Sequence, residues 1–129
     1  MSDTNPSTQT VTLFRPVGRK ELDLIAQSDF KEFPPRLYFQ PIFYPVLNEE
    51  YAIKIARDWN TKDEASGYEG YVTRFQVNKT YIEKFAIQTV GAQHKHEEYW
   101  IPAEDLADFN ANIVGKIEII GQYKGDGQT

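Results

Sequence analysis

The chain has 129 residues, of which 40% are hydrophobic and 26% charged, and this composition is typical of one soluble globular domain. Its net charge of −5, without a basic patch, argues against nucleic acid as a partner, and the lack of cysteine excludes disulfides, zinc knuckles and thiol nucleophiles. No stretch approaches the roughly 20 apolar residues of a membrane helix and the polar N-terminus lacks a secretory signal, so we expect no membrane partner and a cytoplasmic location.

Two polar segments at the ends of the chain, 1–10 and 124–129, have little apolar surface to bury, and we predict that they are disordered tails. They flank a single predicted domain at 11–123. The predicted elements of its first half are, in chain order, a strand at 11–16 ended by Pro16, a helix at 18–28, a proline-broken loop at 30–41, a short strand at 41–47, and a helix that is capped by Asn48. This helix carries Ala52, Ile55, Ala56 and Trp59 on one face.

The second half of the domain is richer in strands. Its predicted elements are an acidic loop at 61–70, a strand at 71–78, a turn through Lys84, strands at 85–91 and 98–102, a helix that begins at Pro102, and a last strand at 113–123 that is bulged at Gly115. This order lacks the regular strand–helix alternation of a doubly wound fold. It predicts an α+β fold with a split, largely antiparallel β-sheet and short helices.

The stretch "QHKHEEYWIP" at 93–102 gathers several titratable groups beside an apolar segment. Alternate side chains of an extended segment share a face, so we expect His94, His96 and Glu98 to lie together. Two imidazoles and a carboxylate suit zinc or iron, whereas a strand end in water tolerates the same residues without a metal. Trp100 shares this face, and a carboxylate beside an aromatic wall is partly desolvated, which suits acid/base chemistry at Glu98. An ordinary ion pair with an arginine is the alternative for Glu98.

Arg15, in the first predicted strand, points to the face opposite Phe14 and precedes an aromatic-rich loop. Its fork of donors suits a phosphate or carboxylate ligand, and a surface ion pair is the alternative. The aromatics of the loop offer either a stacking wall for a planar ring or buried contacts beneath the loop. They are Tyr38, Phe39, Phe43 and Tyr44.

Four segments between residue 11 and about residue 120 resemble small bacterial proteins that are labelled "ADP-ribosylation/crystallin". They are "VTLFRPVGRKELDLI", "FPPRLYFQPIFYPVLNEEYAIKIARDWN", "GYVTRFQVN" and "EEYWIPAEDLADFNANIVGKIEI". The layout is also similar to the wider ADP-ribosyltransferase fold. This resemblance implies a split β-sheet that holds NAD, as a substrate, in its cleft.

The residues that carry this second resemblance are Arg15 in "LFRP", Phe43 or Tyr44 in "IFYP", and Glu98 in "EEYWIP". The resemblance implies that Arg15 anchors the nucleotide and that Phe43 or Tyr44 stacks on nicotinamide. It also implies that Glu98 stabilises the oxocarbenium-like charge that forms when the nicotinamide–ribose bond breaks. The Ser-Thr-Ser triplet of arginine-modifying members is replaced by "FYPVLN", so the acceptor is not implied.

Three hypotheses follow from these observations. The first is an NAD-binding, ADP-ribosyltransferase-like protein that transfers ADP-ribose to water or to an unknown acceptor, including a protein. The second is a non-enzymatic module on the same fold that binds a ligand or a protein through the aromatic loop at 33–44. The third is a metal-dependent activity at His94, His96 and Glu98.

Overall fold

The computed structural model of the chain describes residues 9–90 and 96–125. Its strands are β1 (Thr10–Val17), β2 (Ile42–Phe43), β3 (Glu69–Asn78), β4 (Ile87–Thr89), β5 (Glu97–Tyr99), β6 (Ile101–Pro102) and β7 (Ile113–Lys124). Its α-helices are α1 (Arg19–Gln27), α2 (Glu49–Asp58), α3 (Lys79–Ile82) and α4 (Leu106–Ala111). Short 3-10 turns lie at Asn60–Lys62, Glu64–Ser66 and Ala103–Asp105.

All the strand pairs are antiparallel within the described residues. The central sheet has the order β1–β3–β7, and β2 with β6 and β4 with β5 form two smaller pairs. Val46 joins the β4–β5 pair to the central sheet, because it forms one backbone bridge with Phe14 of β1 and another with Glu98 of β5. The chain is therefore an α+β protein with antiparallel split sheets and short helices, as the element order predicts.

The two faces of the sheet are covered by different helices. On one face, β1 and β3 pack with apolar residues from α1, α3 and α4 in the larger core, which includes Leu13, Val17, Ile25, Phe75, Ile82 and Phe109. On the other face, a smaller core packs α2 against the sheet and consists of Phe14, Val46, Ala52, Ala56 and Val72. Because strand residues alternate between faces, successive residues of β1 point in turn to the side of the larger core and to the side of the smaller core.

Several predicted elements differ from the structure in their extent. The strand predicted at 11–16 runs from Thr10 to Val17, and Pro16 stays paired with Val72 of β3. Phe14 exchanges backbone hydrogen bonds with Val46, so Pro16, two residues on, has its nitrogen on that same side and away from β3. The last strand reaches Lys124, a residue that the sequence places in a tail, and its predicted bulge is confirmed at Gly115, whose φ is +79°.

Other predicted strands and loops are interrupted or shorter in the structure. The strand predicted at 41–47 pairs only at Ile42–Phe43 and at Val46, because Pro45 interrupts it. The strand predicted at 98–102 is broken at Trp100, and the one at 85–91 is formed only at Ile87–Thr89 within the part that the structure describes. The loop predicted at 61–70 contains two 3-10 turns and merges into β3.

Helix α2 begins where the sequence predicts, and it ends sooner. The Asn48 side chain accepts a hydrogen bond of 3.2 Å from the backbone N–H of Tyr51, which satisfies one free donor of the first turn. Ala52 and Ala56 are fully buried against the sheet. Trp59, which the spacing predicts on the same helix face, lies outside the helix, because α2 ends at Asp58, and Trp59 is 73% exposed.

We expect Asn48→Ala to lower the free energy of unfolding by about 1 kcal/mol, because the cap hydrogen bond is lost. Asn48→Asp retains an acceptor at the same position and is expected to remain close to wild type. Urea unfolding followed by circular dichroism measures both. Equal stability of Asn48→Ala and the wild type would show that the side chain does not cap α2.

Candidate functional site

Glu98 is a buried carboxylate that faces α2. Its backbone bridge to Val46, itself bridged to Phe14, places its side chain on the face of the smaller core. The Glu98 residue is 8% exposed, and its two oxygens accept hydrogen bonds from the Tyr51 hydroxyl (3.1 Å) and the Trp100 Nε1–H (2.8 Å). Among residues 9–90 and 96–125, no lysine or arginine lies within ion-pair distance of it. Two neutral donors therefore hold a buried negative charge.

Aromatic rings surround this carboxylate. The His96 ring stacks on the Tyr51 ring, with centroids 4.3 Å apart, and the Tyr44 ring stands edge-on to Trp100 at 6.4 Å. We call these four residues, together with Glu98, the Glu98 cluster. Tyr44 and Trp100 are 39% and 45% exposed, so both rings present a surface to solvent.

An open groove of about 470 Å³ adjoins the cluster. Its lining residues are Tyr51, Lys54, Ile55, Trp59, Asn60, Asp63 and His96. The Tyr51–His96 stack is common to the groove and the Glu98 cluster. The groove therefore borders the residue whose hydroxyl donates to Glu98.

Tyr51 is a permanent hydrogen-bond donor at neutral pH. Burial, the negative charge of Glu98 and the hydrogen bond to Glu98 raise the pKa of Tyr51 to about 12. The phenol therefore stays protonated far above physiological pH. It holds one Glu98 oxygen in place and leaves the remaining lone pairs of the carboxylate available.

Tyrosine ionisation tests this arrangement. We expect two tyrosines, Tyr51 and Tyr81, to titrate at about pH 12 by ultraviolet absorbance, and Tyr51→Phe to remove one of them. Since these pKa values are raised above the unfolded value near 10, the stability that they contribute is complete below pH 10 and is lost as pH rises to about 12. Glu98→Gln should lower the pKa of Tyr51, because the neighbouring charge disappears. An unchanged titration in Tyr51→Phe would contradict the assignment.

Arg15 lies on the opposite face and is held by internal partners. The residue is 8% exposed, and its Nε and Nη2 donate to the two oxygens of Glu21 at 2.7 and 3.0 Å. Nη1 donates to the Tyr44 carbonyl at 3.3 Å, and the guanidinium lies 4.6 Å from the centre of the Phe43 ring. An internal acid, Glu21, therefore occupies the Nε and Nη2 side of the Arg15 fork, which the resemblance expects to anchor a nucleotide.

Phe43 does not form a stacking wall. It is 0% exposed and packs against Phe33 and Phe109, at centroid distances of 5.1 and 5.2 Å. The pairing of β2 with β6 directs Phe43 into the larger core, whereas Tyr44, the next residue, is half-exposed. Of the two aromatics that the sequence proposes for stacking, only Tyr44 is accessible.

The structure thus separates the four predicted site residues into two groups. Glu98 and Tyr44 belong to the Glu98 cluster, while Arg15 and Phe43 contact each other on the far side of the sheet. Sequence reasoning missed Tyr51, which reaches Glu98 from a helix 47 positions earlier in the chain. Its only local signal was a tyrosine in the first turn of a capped helix.

The metal hypothesis falls partly outside the described residues, since His94 lies in the segment 91–95. His96 is stacked on Tyr51, and Glu98 is hydrogen-bonded to Tyr51 and Trp100. Over the described ranges, no group of three His, Cys, Asp or Glu side chains is arranged to hold a metal ion.

Comparison with known proteins assigns no relative to this chain. No family model matches the sequence, and no curated protein or solved structure matches it significantly. In the described segments, no helix has the length and apolar character needed to cross a membrane.

Proposed function

We propose that the protein binds a nucleotide of the NAD type at the Glu98 cluster. The observation that supports this proposal is the Glu98 carboxylate, which is 8% exposed and, among the residues that the structure describes, is held by a phenol and an indole instead of a cation. A buried charge without a counter-charge lowers stability, and such groups are concentrated at functional sites. A ligand that donates hydrogen bonds or develops positive charge offsets that loss.

Glu98 suits the recognition of a sugar hydroxyl. An ionised carboxylate has about four lone-pair positions, and two of those of Glu98 are used by Tyr51 and Trp100. A ribose hydroxyl then donates to a remaining lone pair. When the nicotinamide–ribose bond breaks, the bonding electrons leave with nicotinamide and the ribose becomes oxocarbenium-like, and a fixed carboxylate stabilises that charge. Water or an acceptor nucleophile then bonds to the ribose.

Tyr44 and Trp100 supply the planar surfaces for this ligand. Both are partly exposed, and their edge-on contact fixes the orientation of the two rings beside Glu98. Rings of this kind stack on nicotinamide or adenine through dispersion and apolar burial. The stacking role that the resemblance offers to Phe43 or Tyr44 is therefore assigned to Tyr44, with Trp100 beside it.

Glu98→Gln tests the proposal, and the adjacent Glu97→Gln is the matched control. We expect NAD to raise the melting temperature of the wild type and of Glu97→Gln, and Glu98→Gln to weaken NAD binding by about tenfold or more, the equivalent of one charged hydrogen bond. Nicotinamide release, followed by chromatography, is expected to fall in Glu98→Gln alone. Equal responses of the two variants, or no response of the wild type to NAD, would overturn the proposal.

A second candidate function is the binding of a protein or another ligand by the aromatic loop at 33–44. Leu37, Tyr38 and Phe39 are 57%, 99% and 63% exposed, so these three consecutive apolar side chains add little to the core. Exposed apolar patches of this kind mark interaction surfaces. The double variant Tyr38→Ser, Phe39→Ser separates the two surfaces: it should keep the NAD response if NAD binds at the Glu98 cluster, and its loss of that response would place NAD at the loop instead.

A further inference from the structure

Arg36 is a half-buried cation in the loop between α1 and β2. Its Nε donates to the carbonyl of Ile42 at 3.1 Å. No carboxylate is paired with Arg36 in the ion pairs of the described chain. Glu21 is near enough to affect Arg36 electrostatically, yet both of its oxygens accept hydrogen bonds from Arg15. Within residues 9–90 and 96–125, the guanidinium of Arg36 thus has no acidic partner in an ion pair.

Two cations share one aromatic ring at this place. The guanidinium carbons of Arg15 and Arg36 lie 4.6 and 5.9 Å from the centre of the Phe43 ring. Glu21 balances one of these charges, so one positive charge remains. Burial, and then the charge of Arg15, lower the pKa of Arg36.

The donors of Arg36 match those of an oxyanion site. Nη1 and Nη2 have no hydrogen-bond acceptor among the described residues, and these two groups form one side of the planar fork that binds phosphate or carboxylate in bidentate fashion. Tyr44 lies near enough to affect the pKa of Arg36, and it also contacts Trp100 of the Glu98 cluster. The Arg36 guanidinium and the Glu98 cluster therefore both adjoin Tyr44.

We propose that Arg36 binds an oxyanion, a phosphate or a carboxylate, of a small ligand at the mouth of the loop between α1 and β2. Arg15 contributes positive potential to this site, while Glu21 holds the Nε and Nη2 side of its fork. The site does not depend on the proposed NAD function.

Calorimetric titration with inorganic pyrophosphate and with malonate tests this site, and the comparison of the two anions distinguishes phosphate from carboxylate. We expect at least one of them to bind the wild type and Arg36→Gln to weaken that binding by about tenfold or more. Arg57→Gln is the matched control, since it removes the same charge from an exposed pair with Asp58. Arg36→Lys keeps the charge without the fork and is expected to bind with intermediate affinity.

Two further measurements serve as controls for this titration. Glu98→Gln should bind the anion as the wild type does, so that a failure of the NAD proposal remains separable from a failure of this one. A shift of the Arg36 Nε–H resonance in the wild type reports anion contact even if Arg36→Gln does not fold. Absence of binding of both anions to the wild type, or equal affinity in Arg36→Gln, would overturn the proposal.

Discussion

Glu21→Gln is expected to lower the free energy of unfolding by about 2 to 3 kcal/mol, because it leaves the Arg15 guanidinium buried without a counter-charge. The Arg15 and Glu21 side chains are 10% and 21% exposed, and they meet through two hydrogen bonds. Removal of one partner from such a pair destabilises a protein more than replacement of both. The double variant Arg15→Met, Glu21→Gln should therefore recover part of the loss. Urea unfolding measures all three proteins.

The surface pair of Arg19 with Asp23 provides the control for this prediction. Both side chains are 53% exposed, so Asp23→Asn should change the stability by less than about 1 kcal/mol. If Glu21→Gln were as mild as Asp23→Asn, the Arg15 fork would not be held internally. Arg15 would then be available to anchor a ligand. The conclusion that the predicted site residues are divided between the two faces would lose the observation on which it mainly depends.

Gly70→Ala is expected to destabilise the protein by about 3 kcal/mol or more, because it forces α2 away from the sheet. A Cβ at Gly70 would lie 2.1 Å from the carbonyl oxygen of Ala56 and 2.7 Å from its carbon. These are backbone atoms of α2, so no side-chain rotation relieves the contact. Thermal unfolding measures the loss. The same substitution should also weaken NAD binding, since α2 carries Tyr51 to Glu98.

Gly121→Ala is the control for the close approach at Gly70. A Cβ at Gly121 meets its nearest neighbour, an atom of the Tyr123 ring, at 3.4 Å, which is an ordinary contact. We expect a change of less than about 1 kcal/mol there. A Gly70→Ala protein with wild-type stability would mean that α2 does not pack on β3 as closely as the structure shows.

Local signals in the sequence identify much of the fold. The Asn48 cap and the bulge at Gly115 depend on residues within a few positions of each other, and both are present. The end of α2 was harder to predict, because Trp59 continues the apolar spacing of the helix and yet lies beyond its last turn. Apolar periodicity alone does not fix where a helix stops.

The candidate site was predicted only in part, because its geometry depends on contacts between distant parts of the chain. Strand alternation correctly placed Glu98 with Trp100, whose indole donates to it. The opposite faces of Glu98 and Arg15 depend on the bridge at Val46, which local patterns do not reveal. The partner of Arg15 is Glu21 on the following helix, and a sequence pattern does not distinguish that internal acid from a ligand.

The central claim is that the ligand meets the Glu98 face and not the Arg15 face. Titration of ¹⁵N-labelled protein with NAD, followed through side-chain N–H resonances, tests it most directly. At about 10 mM NAD, tenfold above a millimolar Kd, we expect the Trp100 Nε1–H resonance to shift in the wild type and to stay fixed in Glu98→Gln. The Arg15 Nε–H resonance should not move, since Glu21 accepts its hydrogen bond. A shift at Arg15 without one at Trp100, or no shift at either, would contradict the claim.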